Sequence, residues 1–283
     1  MTRPASSLSA GKAGNGRPPL IFIHGGFAGA WCWEPYFLGW FAEQGWECHA
    51  ISLRGHGQSD GHDDIHRFGI DDYVADVAHV AEGLGEQPIL IGHSMGGFVA
   101  QRYLERHPAK AAVLMAPVPA TGLAGAGLAM AASNPALFWD VGLAHEFGRR
   151  APSPAVLFEA VFGHKPDNGF SRYGNRFTDE SHRAWADMCN AAFLDVSKIP
   201  GMPIKVIGGD ADRLIPPAFI RSAARLLGTK AEMLPGLGWN DSFRSGHRRL
   251  SRRAKSCRRR GRCSVHHLKR KGAHTNDHPL TRE

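Results

Sequence analysis

The sequence predicts an α/β fold: a mostly parallel sheet flanked by helices, with a block of helices inserted late in the chain. Three observations carry this. Short apolar runs without polar alternation recur, as strands buried on both faces require. Segments with helical spacing of apolar residues separate them. Gly-rich turns follow several of the runs, as in strand–turn–helix units with right-handed crossovers.

The elements follow in order. Residues 1–17 are small, polar and rich in Gly and Pro, and read as a flexible arm. Leu20 to Ile23 is the first apolar run and ends in His24-Gly25-Gly26. Trp33 to Gln44 fits a helix stopped by Gly45. Trp46 to Leu53 reads as a strand, followed by the turn-rich Arg54-Gly55-His56-Gly57-Gln58-Ser59-Asp60. Asp71 to Leu84 carries Tyr73, Val74, Val77, Val80, Ala81 and Leu84 on one helical face. Pro88 to Ile91 is a strand, Met95 to Arg106 a helix closed by His107-Pro108, and Ala111 to Met115 another strand.

Residues 118–198 break that rhythm. Helical stretches near Leu123 to Ala132, Pro135 to Phe147, Ala155 to Phe162 and Ser181 to Phe193 fit a helical cap, although extra core helices would read alike. Strand and helix then resume with Ile204 to Ile207, Pro217 to Leu227 and Lys230 to Leu234. The expected core is thus 18–117 plus 199–238, with the cap between. From Trp239 the composition changes. Residues 239–283 hold 14 basic and 3 acidic side chains and ten hydrophobic ones, against 20 basic and 23 acidic in residues 1–238. The net charge of +8 therefore belongs to the tail. Such a composition buries too little apolar surface to offset its ordering entropy, which predicts a disordered basic tail.

Composition excludes several classes. No apolar run reaches the length of a membrane-spanning helix, and the N-terminus has no apolar core of a secretory signal. The five cysteines are spread without a CxxC pair, which argues against a disulfide framework and for a cytoplasmic setting. Cys257, Cys263, His266 and His267 lack zinc-knuckle spacing, so no metal and no cofactor is expected. The tail has the charge of a nucleic-acid-binding segment but no interleaved stacking aromatics and no reader motif. A solvated tail is expected, and nucleic acid is not an expected partner. Oligomeric state is not legible.

Three stretches carry chemistry. Gly92-His93-Ser94-Met95-Gly96 matches GxSxG between a strand and a helix, where a nucleophile elbow sits. Glycines at 92 and 96 remove Cβ atoms from the sharp turn, and the following helix directs its positive dipole end at a developing oxyanion. His24-Gly25-Gly26-Phe27 ends the first strand, so the backbone N–H groups of Gly26 and Met95 are the expected oxyanion donors. His24 and His56 read as turn-bracing residues. Asp212, in Gly208-Gly209-Asp210-Ala211-Asp212-Arg213, is the expected acid, with Asp210 serving a turn.

Together the stretches HGGFAGAWCW (24–33), RGHGQSDG (54–61), GHSMGG (92–97) and GGDADRLIPP (208–217) resemble the α/β-hydrolase family, specifically its cap-bearing esterase and lipase-like branch, over about residues 18–238. The resemblance implies Ser94 as nucleophile, Gly26 and Met95 as oxyanion donors and Asp212 as triad acid. The expected activity is serine hydrolysis of a small apolar carboxylic ester through an acyl-enzyme. Ser at the elbow argues against the dehalogenase and epoxide hydrolase branches, which use Asp. Hydroxynitrile lyases share the Ser, so lyase-like chemistry stays open.

The family's histidine base follows a short Gly-containing turn after the last strand. Here Pro235-Gly236-Leu237-Gly238 is followed by Trp239, and an indole offers one N–H donor and no acceptor. His247 is the substitute base the sequence offers if the tail folds back; His93 adjoins Ser94, where neighbouring side chains point apart. The tail also lacks the apolar stripe of the family's closing helix. This is the pattern a reading-frame shift after Gly238 would leave. A non-catalytic or decayed hydrolase acting as a binding module is the competing reading.

Overall fold

The computed structural model describes residues 6–11, 16–147, 176–190 and 193–237. Seven strands form one sheet: β1 (Ser6–Ala10), β2 (Leu20–Ile23), β3 (Cys48–Ser52), β4 (Ile89–His93), β5 (Ala111–Met115), β6 (Ile204–Gly209) and β7 (Ala231–Leu234). Their order is β1-β3-β2-β4-β5-β6-β7, and every pairing but β1–β3 is parallel. Helices α1 (Gly39–Glu43), α2 (Ile70–Glu82), α3 (Met95–Leu104), α4 (Ala124–Ser133), α5 (Pro135–Phe147), α6 (His182–Cys189) and α7 (Pro217–Leu226) complete the described residues, with short 3-10 and π turns between.

The strand β1 corrects the flexible arm expected over residues 1–17. Ser6–Ala10 pairs antiparallel with β3, from Ser6 opposite Ser52 to Ala10 opposite Cys48. Leu8 packs against the cluster around Leu20 and Phe22 while serines flank it, the alternation of an edge strand with one wet face. The helix expected over Trp33 to Gln44 is also broken. A 3-10 turn at Ala30–Cys32 and a π turn at Glu34–Leu38 precede α1, with Pro35 in the first turn of the π segment.

Two apolar layers sandwich the sheet. One joins Ile21, Ile23 and Leu90 to Tyr73, Val77, Phe98 and Val99 of α2 and α3. The other packs Leu20, Phe22 and Ile91 against Trp33, Phe37 and Leu38. Phe22, Trp33 and Phe37 are fully buried and in tilted or edge contact, with centroids 5.1–6.2 Å apart. At about 25 cal/mol per Å² of apolar area, such aromatic clusters supply much of the folding drive.

Register places the site. Ile23 lies opposite Gly92, His93 opposite Met115, and Met115 opposite Ile207. The chain therefore leaves β2, β4, β5 and β6 along one carboxyl edge, where open α/β sheets place their ligands. Helices α4, α5 and α6 lie in the chain between β5 and β6. The helix expected at Ala155 to Phe162, most of the loop around it, Gly238, Trp239, His247 and the basic tail lie outside the described residues.

Candidate active site

Ser94 sits between β4 and α3 with φ 52° and ψ −117°, a conformation that L-residues seldom adopt. Its neighbours explain how it is held. A Cβ at Gly92 would run into the carbonyl of Gly96, and a Cβ at Gly96 would overlap the carbonyls of Ile23 and His24. Backbone bonds fix the rest: Ser94 N–H donates to Met115 O at 3.0 Å, and Ser94 O accepts from Gly97 N–H at 2.9 Å. The residue is 9% exposed. Phe27 and Ala116 are the other non-glycine residues with positive φ among the described residues, at 62° and 40°. All three lie just past the ends of β4, β2 and β5. Strain of about 1–3 kcal/mol per residue is thus concentrated on the carboxyl edge.

The turn after β2 lies against this elbow. A Cβ at Gly25 would come within 3.1 Å of Ser94 Cβ, so glycine lets the two strand ends approach closely without displacing a neighbour. Gly26 follows in the same turn, and Met95 heads α3. Burial, reinforced by the His56 ring, lowers the His24 pKa to about 3. Its neutral ring donates from Nδ1 to Gly25 O at 2.7 Å and accepts Leu53 N–H at Nε2, 3.1 Å. Both nitrogens are spent on loop backbone, which fits a brace.

His56 is bound differently. Nδ1 donates to Arg54 O at 3.1 Å and Nε2 donates to Glu180 Oε2 at 3.3 Å, so both nitrogens carry protons. Burial disfavours that charge, but Glu180 outweighs it and raises the His56 pKa. Burial likewise opposes ionisation of Glu180, and the His56 charge together with bonds from the Ser181 and Phe27 amides holds its pKa below the usual range. Each partner thus favours the charged form of the other. The sequence reading missed Glu180. Its partners lie between 107 and 153 residues away, apart from adjacent Ser181, so no local pattern marks it.

Asp212 and Asp210 divide two tasks after β6. Asp210 Oδ1 accepts Gly236 N–H at 2.6 Å, and Ala211 N–H donates to Leu237 O at 3.0 Å, which stitches the turn after β7 to the turn after β6. Asp212 Oδ1 accepts Leu214 N–H and Ile215 N–H at 2.9 and 2.8 Å. Among the described residues its buried Oδ2 has no hydrogen-bond partner. Burial pushes its pKa up to about 7, only partly offset by those amides. A buried carboxylate with one oxygen anchored and the other unspent is what an imidazole N–H would complete.

The chain matches the alpha/beta hydrolase family over residues 20–251 and belongs to it. A non-heme haloperoxidase of Rhodococcus erythropolis is 28% identical over 250 residues, covering 79% of this chain and 86% of that one. An epoxide hydrolase of Caenorhabditis elegans is 34% identical over 93 residues, 32% of this chain and 22% of the length of that enzyme. Among solved structures, Rv0554 from Mycobacterium tuberculosis superposes with a TM-score of 0.67 at 21% identity, over 89% of this chain and 92% of that one. The N-acyl homoserine lactonase AidH gives 0.68 at 18% identity, over 93% and 96%. At these identities the structural likeness shows the fold alone.

Proposed function

We propose that this chain is a serine hydrolase scaffold for a small, apolar carboxylic ester, with Ser94 as nucleophile. The strained, glycine-walled elbow at Ser94 carries the reading. Ser94 Oγ attacks the ester carbonyl carbon, and the carbonyl electron pair moves to oxygen under the N–H groups of Gly26 and Met95. The tetrahedral species collapses to an acyl-serine, and the leaving alcohol takes a proton. Water then adds to the acyl carbon, releases the acid and returns the hydrogen to Ser94.

The weak link is the base. Asp212 is the acid of this reading, and residue 239, two positions past Leu237, is where its histidine partner is expected. Trp239 cannot accept the Ser94 proton, which must pass to solvent. In a subtilisin-type triad, loss of the histidine costs on the order of 10⁶ in kcat, so turnover here is slow. His247 is the alternative proton acceptor, and lyase-like chemistry on the same Ser is the alternative reaction. The epoxide hydrolase likeness does not carry over, because that branch relies on an elbow Asp.

A second reading, a binding module of hydrolase fold without turnover, is favoured by the unspent Asp212 Oδ2. Hydrolysis of p-nitrophenyl acetate by the full chain and by Ser94→Ala separates the two. A rate above buffer that Ser94→Ala removes supports the hydrolase. Equal rates in folded proteins support the binding module, and a fall in His247→Ala would identify His247 as the acceptor.

A further inference from the structure

A buried carboxylate outside the expected triad touches the turn that precedes the elbow. Glu180 is 1% exposed and takes donors on both oxygens. Oε2 accepts Phe27 N–H at 3.0 Å and lies 3.3 Å from His56 Nε2, while Oε1 accepts Ser181 N–H at 2.7 Å and lies 3.4 Å from Tyr73 Oη. The same segment grips Phe27 from its other side, because Thr178 N–H donates to Phe27 O at 2.9 Å. Phe27, with φ 62°, is therefore held at both its amide and its carbonyl by residues 178–180. A Cβ added to Gly26 would come within 3.0 Å of Glu180 Oε2.

The support behind Glu180 is rigid. Ser181 Oγ accepts Ala184 N–H at 3.1 Å and so caps α6. Farther along α6, Asp187 Oδ2 accepts Ile70 N–H at 2.8 Å, which ties that helix to the start of α2. Position is thus transmitted from two helices, through one carboxylate, to the peptide that follows Gly26.

The geometry points to Glu180 as a positioning residue that fixes the Gly26–Phe27 turn and thereby aims the Gly26 N–H at the carbonyl oxygen attacked by Ser94. This rests on the hydrolase reading above. Charge explains why His56 accompanies it. A bare carboxylate beside the Gly26–Phe27 turn would oppose a developing oxyanion, and a proton on His56 Nε2, 3.3 Å from the same Oε2, offsets that charge. The inserted segment between β5 and β6 then contributes to the oxyanion site through Glu180.

The test compares kcat and KM for p-nitrophenyl acetate in the full chain, Glu180→Gln and Glu180→Ala, each also in a Trp239→His background. Gln keeps the size but can accept from Phe27 or from Ser181, not from both. Glu180→Gln is expected to lower kcat about tenfold and Glu180→Ala about 100-fold, with KM within threefold, since one oxyanion donor is worth about 10² to 10³. Unchanged kcat in folded Glu180→Gln, or a rise in KM at constant kcat, overturns the role. Amide hydrogen exchange at Phe27 reads the clamp independently of turnover. If no background shows Ser94-dependent hydrolysis, the hydrolase reading fails, and exchange still decides the clamp. At least tenfold faster exchange in Glu180→Ala supports it, and exchange at the parent rate overturns it.

Discussion

The two halves of the candidate site are built to different degrees of completion. On the side of β2 and β4, the buried polar side chains of His24, His56 and Glu180 each have partners. His24 spends both nitrogens on backbone, His56 pairs with Glu180, and glycines at 25, 92 and 96 let three backbone segments meet at Ser94. On the side of β6 and β7, Asp212 is anchored through Oδ1, and its buried Oδ2 has no partner among the described residues. Strain and close packing need a dense set of tertiary contacts to persist, and the first half has them. The second half holds a carboxylate whose burial disfavours its charge, a cost that a donor or protonation relieves.

The comparison can be broken from either side. The largest effect is expected at Gly96. Its missing Cβ makes room for the carbonyls of Ile23 and His24, so Gly96→Ala should cost more than about 4 kcal/mol and give no soluble, folded protein. A folded Gly96→Ala protein with parental Tm would show that the elbow is not closely packed.

Next is the buried ion pair. Removing the imidazole leaves Glu180 charged and desolvated, so His56→Ala should destabilise by about 3 kcal/mol in urea unfolding at pH 7. A loss under 1 kcal/mol would mean the pair is not ionised. The signs of its pH dependence are opposite. The raised His56 pKa gives stability that is full below the ordinary 6.5 and is lost as pH rises through the raised value. The lowered Glu180 pKa gives stability present above the ordinary 4.5 and lost as pH falls through the lowered value. The pair is therefore at full strength between those ordinary values, from 4.5 to 6.5, and each partner's contribution fades between its ordinary and its shifted value.

A smaller effect sharpens the acid side. Native Asp212 holds its proton to about pH 7, whereas the unfolded chain releases it near 3.8. Between these values the folded state binds more protons, so stability falls as pH rises, and the penalty is complete above 7. Its ceiling is about 4 kcal/mol from a shift of roughly three units. Asp212→Asn keeps Oδ1 as acceptor but buries an amide N–H₂ without a partner, so about 2 kcal/mol should be regained. Its Tm should exceed the parent's at pH 8, and the gap should close toward pH 4. A gap that is the same at both pH values would show that Asp212 is already satisfied.

The signals legible in the sequence are short-range. The elbow, the glycine turn after β2 and the two aspartates after β6 each depend on a few adjacent residues. Asp210 serves the turn the sequence assigns to it. Glu180 was illegible because its contacts come from four residues, three of them from the turn after β2, α2 and the loop before α2, brought together only by the fold. Strand β1 was illegible for another reason. Its Ser-rich run has weak strand propensity, and pairing with β3 supplies what the side chains do not.

The most direct measurement is Ser94-dependent hydrolysis of p-nitrophenyl acetate after Trp239→His. If the serine half is complete and one nitrogen base is missing, the folded variant should gain at least about 100-fold in kcat over the full chain. A further Ser94→Ala change should abolish that gain. A folded Trp239→His protein with no gain, or a gain that survives Ser94→Ala, would contradict the account.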